Sequence, residues 1–304
     1  MRSLRSRIWY HLLRRKLAQQ RALNLPLAEA RALSDKNSAR LFRIPAGIST
    51  ESARIQGRDG EWLRPDGPCT AGLLLYLHGG AYVQGSVTTH RGLAARLALA
   101  ARTPAFIVNY RLAPEHPFPA GLDDAAAVYR ALQLSQPGKP IAIVGDSAGG
   151  GLTVATALRI RDQGGAAPAA LALLSPWTDL TLGNATHQSK AAVDPFFPDS
   201  TALGLAAKAY ASAHDLRLPL ISPQFADLGG LPPTLIHVGD DEALLDDSRI
   251  LAEKMIAQGT AAQIEVYPHM WHVWQALCGR FPEANHSVCA IGAFLKSHLE
   301  QAAR

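Results

Sequence analysis

Pro140-Ile141-Ala142-Ile143-Val144-Gly145-Asp146-Ser147-Ala148-Gly149-Gly150 joins an apolar run to a glycine-rich turn, and the turn opens directly into a helical stretch, Gly149 to Gln163. In a strand–turn–helix setting, G-x-S-x-G is the signature of a nucleophile elbow. A Cβ at position 145 or 149 would collide with the neighbouring strand or helix in so tight a turn. Ser147 is thereby held exposed at the carboxyl end of a strand, with a helix N-terminus behind it to favour negative charge.

Working outward, the same alternation recurs along the chain. Ala71–Leu77, Pro104–Tyr110, Ala170–Leu174, Thr234–Val238 and Gln263–Tyr267 are further near-continuous apolar runs, as strands covered on both faces should be. Between and after them, Thr88–Arg102, Leu122–Leu134, Ala243–Gln258 and Glu283–Gln301 have helical length and composition. Strand and helix in this order predict an α/β protein with a mostly parallel sheet flanked by helices. Ahead of them, Ala53–Leu63 with Asp59-Gly60 at its centre predicts a hairpin at an antiparallel edge. About sixty residues separate Leu174 from Thr234, too many for a simple loop, and they include a Pro195-Phe196-Phe197-Pro198 break and an alanine-rich helical stretch. With no repeats or linker composition, residues 1–304 are expected to form one domain, with a cap built from about 1–45 and 183–220.

Composition narrows the partners. The chain has 304 residues, 48% hydrophobic and 18% charged, enough for a large core. Lys and Arg number 30 against 25 Asp and Glu, a formal +5. Residues 1–50 hold eleven basic residues against Glu29 and Asp35, a net +9, so the other 254 residues carry −4. The charge therefore does not point to nucleic acid; it sits on one segment. That segment predicts an amphipathic helix, with Leu4, Ile8, Leu12, Leu13 and Leu17 recurring at spacings of four. The favoured reading lays this stripe on the rest of the protein; the competing one is a membrane-surface helix. No apolar run is long enough for a signal-peptide core or a membrane span, so stable membrane insertion is not expected. The odd set Cys69, Cys278 and Cys289 has no metal-like spacing and argues against a disulfide framework, which fits a reducing, cytoplasmic setting. Cys278 and Cys289 are expected to be buried thiols.

The remaining chemistry follows the strands. His78-Gly79-Gly80-Ala81-Tyr82 comes after the run ending at Leu77, and its side-chain-free turn offers the Gly79 and Gly80 amides, with that of Ala148, as an oxyanion hole. His78 is better read as a structural hydrogen-bonder than as a base. The partners of a serine nucleophile should follow in the order acid, then His. Gly239-Asp240-Asp241-Glu242 supplies three carboxylates after one strand, and His269 and His272 compete after the next. Asp246 and Asp247 read as surface or first-turn carboxylates of the helix that follows. The other histidines have no spacing that suggests metal ligation.

HGGAY at 78–82, Tyr110-Arg-Leu-Ala-Pro-Glu-His-Pro-Phe-Pro119, GDSAGG at 145–150, Leu174-Ser-Pro-Trp-Thr-Asp179 and the Asp and His loops together resemble the bacterial hormone-sensitive lipase family of esterases, also called family IV, over roughly residues 70–275. The resemblance implies an α/β-hydrolase fold and a helical cap. It also implies a carboxylesterase acting on short- to medium-chain acyl esters, with Ser147 as nucleophile, Asp241 as acid, His272 as base, and Gly79, Gly80 and Ala148 as oxyanion donors. That chemistry needs no metal or other cofactor. The expected partner is a small-molecule ester, a homodimer is compatible with the sequence, and Tyr82 and Trp177 are candidates to line the substrate pocket. An amide or formamide hydrolase with the same triad, and a non-hydrolytic ligand-binding member of the fold, are the alternatives. Two departures stand out: Asn109 replaces the family's usual acid before Tyr110-Arg111, and the segment around Asp194-Pro195 matches loosely.

Overall fold

The computed structural model describes residues 2–304. Eight strands form one sheet: β1 (Ile48–Ile55), β2 (Arg58–Pro65), β3 (Leu73–Leu77), β4 (Ala105–Val108), β5 (Ile141–Asp146), β6 (Leu171–Leu174), β7 (Thr234–Gly239) and β8 (Ala262–Tyr267), in the spatial order β1-β2-β4-β3-β5-β6-β7-β8. β1 and β2 are antiparallel to each other and β2 to β4, while every pair from β4 through β8 is parallel. The helices are α1 (Leu4–Ala22), α2 (Leu27–Leu41), α3 (Val87–Ala101), α4 (Ala120–Ser135), α5 (Ala148–Asp162), α6 (Thr186–Ser189), α7 (Thr201–Ala211), α8 (Leu245–Ala257) and α9 (Pro282–Ala302).

The two faces of the sheet bury separate cores. Leu75, Leu77, Phe106, Ile143 and Leu173 pack with α4, α5 and α8 on one side; Leu74, Tyr76, Ile107, Val144 and Leu174 pack with α3 and α9 on the other. This two-sided covering is why those strands are apolar at every position rather than at every second one. The edge hairpin forms as expected, but it turns at Gln56-Gly57, whose φ values of 51° and 73° suit a tight hairpin turn. Asp59-Gly60 lies inside β2 instead; Gly60 is needed there because a Cβ would come 2.3 Å from the Phe106 ring.

The basic helix departs from expectation. α1 turns Ser6 and Tyr10 inward, and Leu4, Ile8 and Leu12 are 70, 51 and 54% exposed. At about 100° per residue the two sets fall on opposite sides of the helix. The inward side is held by the packing of Tyr10, with Trp9 and half-buried Leu13, in a cluster that includes Trp271, and by polar bonds: Glu283 accepts from Ser3 N and Oγ at 2.6 and 2.8 Å, and Tyr10 Oη donates to Val193 O at 2.7 Å. α2 is tied through Arg31, which donates to Val83 O and Ala113 O and forms a two-pronged ion pair with Glu115. The replacement of an acid by Asn109 finds its reason in the same region. Asn109 Oδ1 accepts from Val87 N at the start of α3, and Arg111 takes Asp124 as its carboxylate partner, at 2.8 to 3.1 Å. Cys289 is exposed and Cys278 half-buried, since position 289 falls on the solvent side of α9. No helix among the described residues is long and apolar enough to cross a membrane.

Candidate active site

The elbow is built as its glycines require. Ser147 has φ 54° and ψ −124°, a left-handed backbone that an L-residue adopts only under constraint. A Cβ on Gly149 would stand 2.0 Å from Leu77 O, and one on Gly145 2.2 Å from Gly149 O, so β3, β5 and α5 close around the turn only with glycine at both places. The Ser147 carbonyl accepts from Gly150 N and Gly151 N in α5 and from Trp177 N after β6, which locks the turn from two sides.

His272 arrives on the loop after β8. Its Nε2 lies 2.9 Å from Ser147 Oγ, and its Nδ1 lies 2.8 Å from Glu242 Oε2. The Glu242 carboxylate is fully buried, and its other oxygen accepts from Gly239 N at 2.6 Å and Ser175 Oγ at 2.8 Å. Ser175 Oγ accepts in turn from Val273 N, so the loop that carries the imidazole is fastened to the same carboxylate. Burial pulls the His272 pKa down, but the Glu242 carboxylate, with smaller help from Asp194 and Asp146, outweighs it and leaves the imidazole above its ordinary value.

The carboxylate expectation is thereby corrected. Asp241 does not reach His272; its carboxylate faces His269 Nδ1 at 3.6 Å and Lys190 Nζ at 3.9 Å on the partly exposed side of the loop. Asp240 accepts from His269 N. Asp241, the acid expected from the family resemblance, thus pairs with the losing histidine candidate, His269, outside the site. The reason is the path of the chain after β7. Asp240 N and Asp241 N bond to Tyr267 O and Met270 O, which turns these side chains outward, and Glu242 follows at the point where the buried run Ala243-Leu244-Leu245 begins. Nothing local in the sequence separates the three; the loop's bonds to Tyr267 O and Met270 O do.

A second correction concerns Gly79. Its N–H donates to Asp146 Oδ1 at 3.1 Å and is not free to meet a ligand. Among the described residues, the N–H groups of Gly80, Ala81 and Ala148 have no acceptor. Gly80 has φ 121°, and a Cβ there would lie 2.0 Å from Gln84 O; Ala81 continues the turn at φ 53°. Ala81 was missed in the sequence because only glycines were read as unobstructed. Asp146 is the buried anchor of this turn. It also accepts from Tyr76 Oη at 2.6 Å and faces His90 Nε2 at 3.3 Å. Burial pushes its carboxyl up, yet His90 and the Tyr76 hydroxyl outweigh that and hold it below the usual carboxylate range. His78 is structural, as expected: it stacks on Tyr110 with centroids 4.3 Å apart, and burial drives its pKa down to about 3, so it is neutral.

Over the reacting atoms lies the segment from the long connection. Phe196 and Phe197 meet the His272 ring edge-on at 5.5 and 5.0 Å, and Ser147 and His272 are only 6 and 3% exposed. Asp194 organises this segment: Oδ1 accepts from Phe196 N and Phe197 N, and Oδ2 from Ala243 N, the residue after Glu242. Burial raises the Asp194 pKa to about 6, opposed by the nearby His272. Tyr82 and Trp177, expected at a pocket wall, are buried in packing. Tyr82 stacks on Tyr210 of α7 at 3.8 Å, and Trp177 Nε1 donates to Asp179 O. Asp247 is likewise no surface group: fully buried in the first turn of α8, it accepts from Thr178 N and Asp179 N.

A parallel sheet with an elbow after β5, a carboxylate after β7 and a histidine after β8 defines a hydrolase of the α/β class. Comparison with known proteins agrees. The model of the alpha/beta hydrolase fold family matches residues 74–276. An acetyl-hydrolase of Streptomyces hygroscopicus is 42% identical over 78% of this chain and 79% of its own, and an esterase of Acinetobacter venetianus is 36% identical over 94% of each. The crystal structure of an esterase of the bacterial hormone-sensitive lipase family superposes with a TM-score of 0.91 at 35% identity, covering 98% of this chain and 99% of that one. The chain belongs to the bacterial hormone-sensitive lipase family of α/β hydrolases, and it is a carboxylesterase.

Proposed function

We propose that ester hydrolysis runs through Ser147, His272 and Glu242, with the oxyanion held by the Gly80, Ala81 and Ala148 amides. The observation that carries this reading is the imidazole that spans Ser147 Oγ and Glu242 Oε2 at 2.9 and 2.8 Å. Glu242 takes the Nδ1 proton as a hydrogen bond, which fixes the tautomer with a free lone pair on Nε2. Ser147 Oγ attacks the ester carbonyl carbon while Nε2 removes its proton. The carbonyl oxygen becomes an oxyanion facing the three free amides and the N-terminal end of α5. Collapse of the tetrahedral adduct breaks the bond to the alkoxy oxygen, which leaves with the proton from Nε2. Water then attacks the acyl-serine by the same route, and the acid and free Ser147 are released. Only the neutral imidazole can act, so kcat/KM falls as pH drops through the His272 pKa, which the buried carboxylates place above 6.5.

In this reading α1, α2 and the connection 183–220 form a cap on a single catalytic body, and the cover of Phe196 and Phe197 over His272 favours short- to medium-chain acyl groups. Ser147→Ala should abolish hydrolysis of p-nitrophenyl acetate and butyrate while the Tm is kept; residual turnover near the wild-type rate would overturn the assignment. A set of p-nitrophenyl esters of increasing chain length tests the size preference, and a maximum at palmitate would reverse it.

A further inference from the structure

α1 turns part of its apolar stripe away from the body on which it packs. Its inward face is fixed by Ser6 and Glu283 and by Tyr10 and half-buried Leu13 packed on Trp271, yet three leucine and isoleucine side chains, Leu4, Ile8 and Leu12, form an outward crest. Exposed arginines 5, 7, 14 and 15 flank that crest. The helix holds five arginines and a lysine and no acidic residue, although the chain beyond residue 50 carries a net negative charge. Beside the crest a groove of about 320 Å³ opens between α1 and the loop before α9, lined by Arg5, Ile8, Trp9, Gly279 and Arg280, with the Arg280 guanidinium over the Trp9 ring.

We propose that α1 is a docking surface for an anionic lipid bilayer, its leucine–isoleucine crest entering the headgroup boundary and its arginines meeting the anionic headgroups. Apolar residues aligned on the solvent side with cations beside them are what an interfacial helix requires. A second copy of this chain is the poorer occupant, because two such helices face to face would set six cations against six with no carboxylate in either helix. The location gives docking a use. Tyr10 Oη bonds to Val193 O, and Arg21 donates to Pro195 O at 3.1 Å, so α1 grips the segment that carries Phe196 and Phe197 over His272. A bilayer under α1 would bring ester lipids to the edge of that cover.

Vesicle co-sedimentation of the full chain tests this without reference to turnover, and Ser147→Ala protein should partition as the wild type does. Binding is expected to mixed phosphatidylcholine–phosphatidylglycerol vesicles, not to phosphatidylcholine alone, and to weaken with added salt. Leu4→Gln/Ile8→Gln/Leu12→Gln should weaken it more than roughly tenfold, and Arg5→Gln/Arg15→Gln by roughly fivefold for each arginine removed. Both variants should keep the wild-type Tm and p-nitrophenyl acetate hydrolysis. Equal partition to both vesicle types, or undiminished binding by the triple variant, would overturn the proposal. So would a dimer seen by light scattering that the triple variant loses while no vesicle binding is found, which would give the crest to a second copy.

Discussion

Glu242→Gln is the sharpest perturbation of the site because it changes charge with almost no change in shape. Glu242 Oε1 receives two donors, Gly239 N at 2.6 Å and Ser175 Oγ at 2.8 Å. In the glutamine variant the amide oxygen must stay at that position, since an NH2 there would face two N–H and O–H donors. The NH2 is then turned toward His272 Nδ1, which can only accept. The imidazole is driven to the tautomer with its proton on Nε2, and Nε2 can no longer take the proton of Ser147 Oγ 2.9 Å away. Removing the charge also withdraws the main support of the imidazolium formed in the transition state. By analogy with the aspartate-to-asparagine change in another serine-hydrolase triad, the loss in kcat should be about 10⁴-fold, or about 5.4 kcal/mol of barrier at 1.36 kcal/mol per decade. Steady-state hydrolysis of p-nitrophenyl butyrate, with Tm as the control for folding, reads the effect directly. A kcat within tenfold of wild type in folded protein would refute the reasoning.

Asp241→Asn and His269→Ala, by contrast, break only a partly exposed pair and should change kcat less than about threefold, since exposed ion pairs contribute little; a loss as large as that of Glu242→Gln would restore Asp241 as the acid. Asp194→Asn removes one of the negative charges that raise His272, so the imidazole pKa should fall and the acid limb of kcat/KM should move to lower pH; an unmoved limb across pH 5 to 9 would deny the coupling. The other charged groups facing His272 are Glu242 and Asp146, which keep their charge, and a retained Tm checks that the contacts Asp194 makes to Phe196 N, Phe197 N and Ala243 N have not been lost. Gly149→Ala places a methyl 2.0 Å from the Leu77 carbonyl and should cost about 4 kcal/mol or more, read as a lower urea midpoint or as insoluble protein; near-wild-type stability would contradict the packing of the elbow.

His272 was singled out from His269 only by the family resemblance, while the sequence by itself determined the alternation of strands and helices, the elbow at Ser147 and the order of the triad loops. These are local matters: a strand covered on both faces is apolar throughout, and a turn that tight tolerates only glycine at 145 and 149, so each leaves its mark in a few adjacent residues. Three points belonged to the tertiary structure alone. Asp240, Asp241 and Glu242 are equivalent as text, and the hydrogen bonds of the loop to Tyr267 O and Met270 O decide which one turns inward. Gly79 looks as free as Gly80 until Asp146, about seventy residues away, takes its amide. The face of α1 that meets the protein is set by hydrogen bonds to Glu283 and Val193 and by the packing of Tyr10 on Trp271, all far along the chain, and these turn Leu4, Ile8 and Leu12 outward. Contacts between distant segments have no periodicity to be read, so only the folded chain could assign the acid, the oxyanion amides and the outward crest.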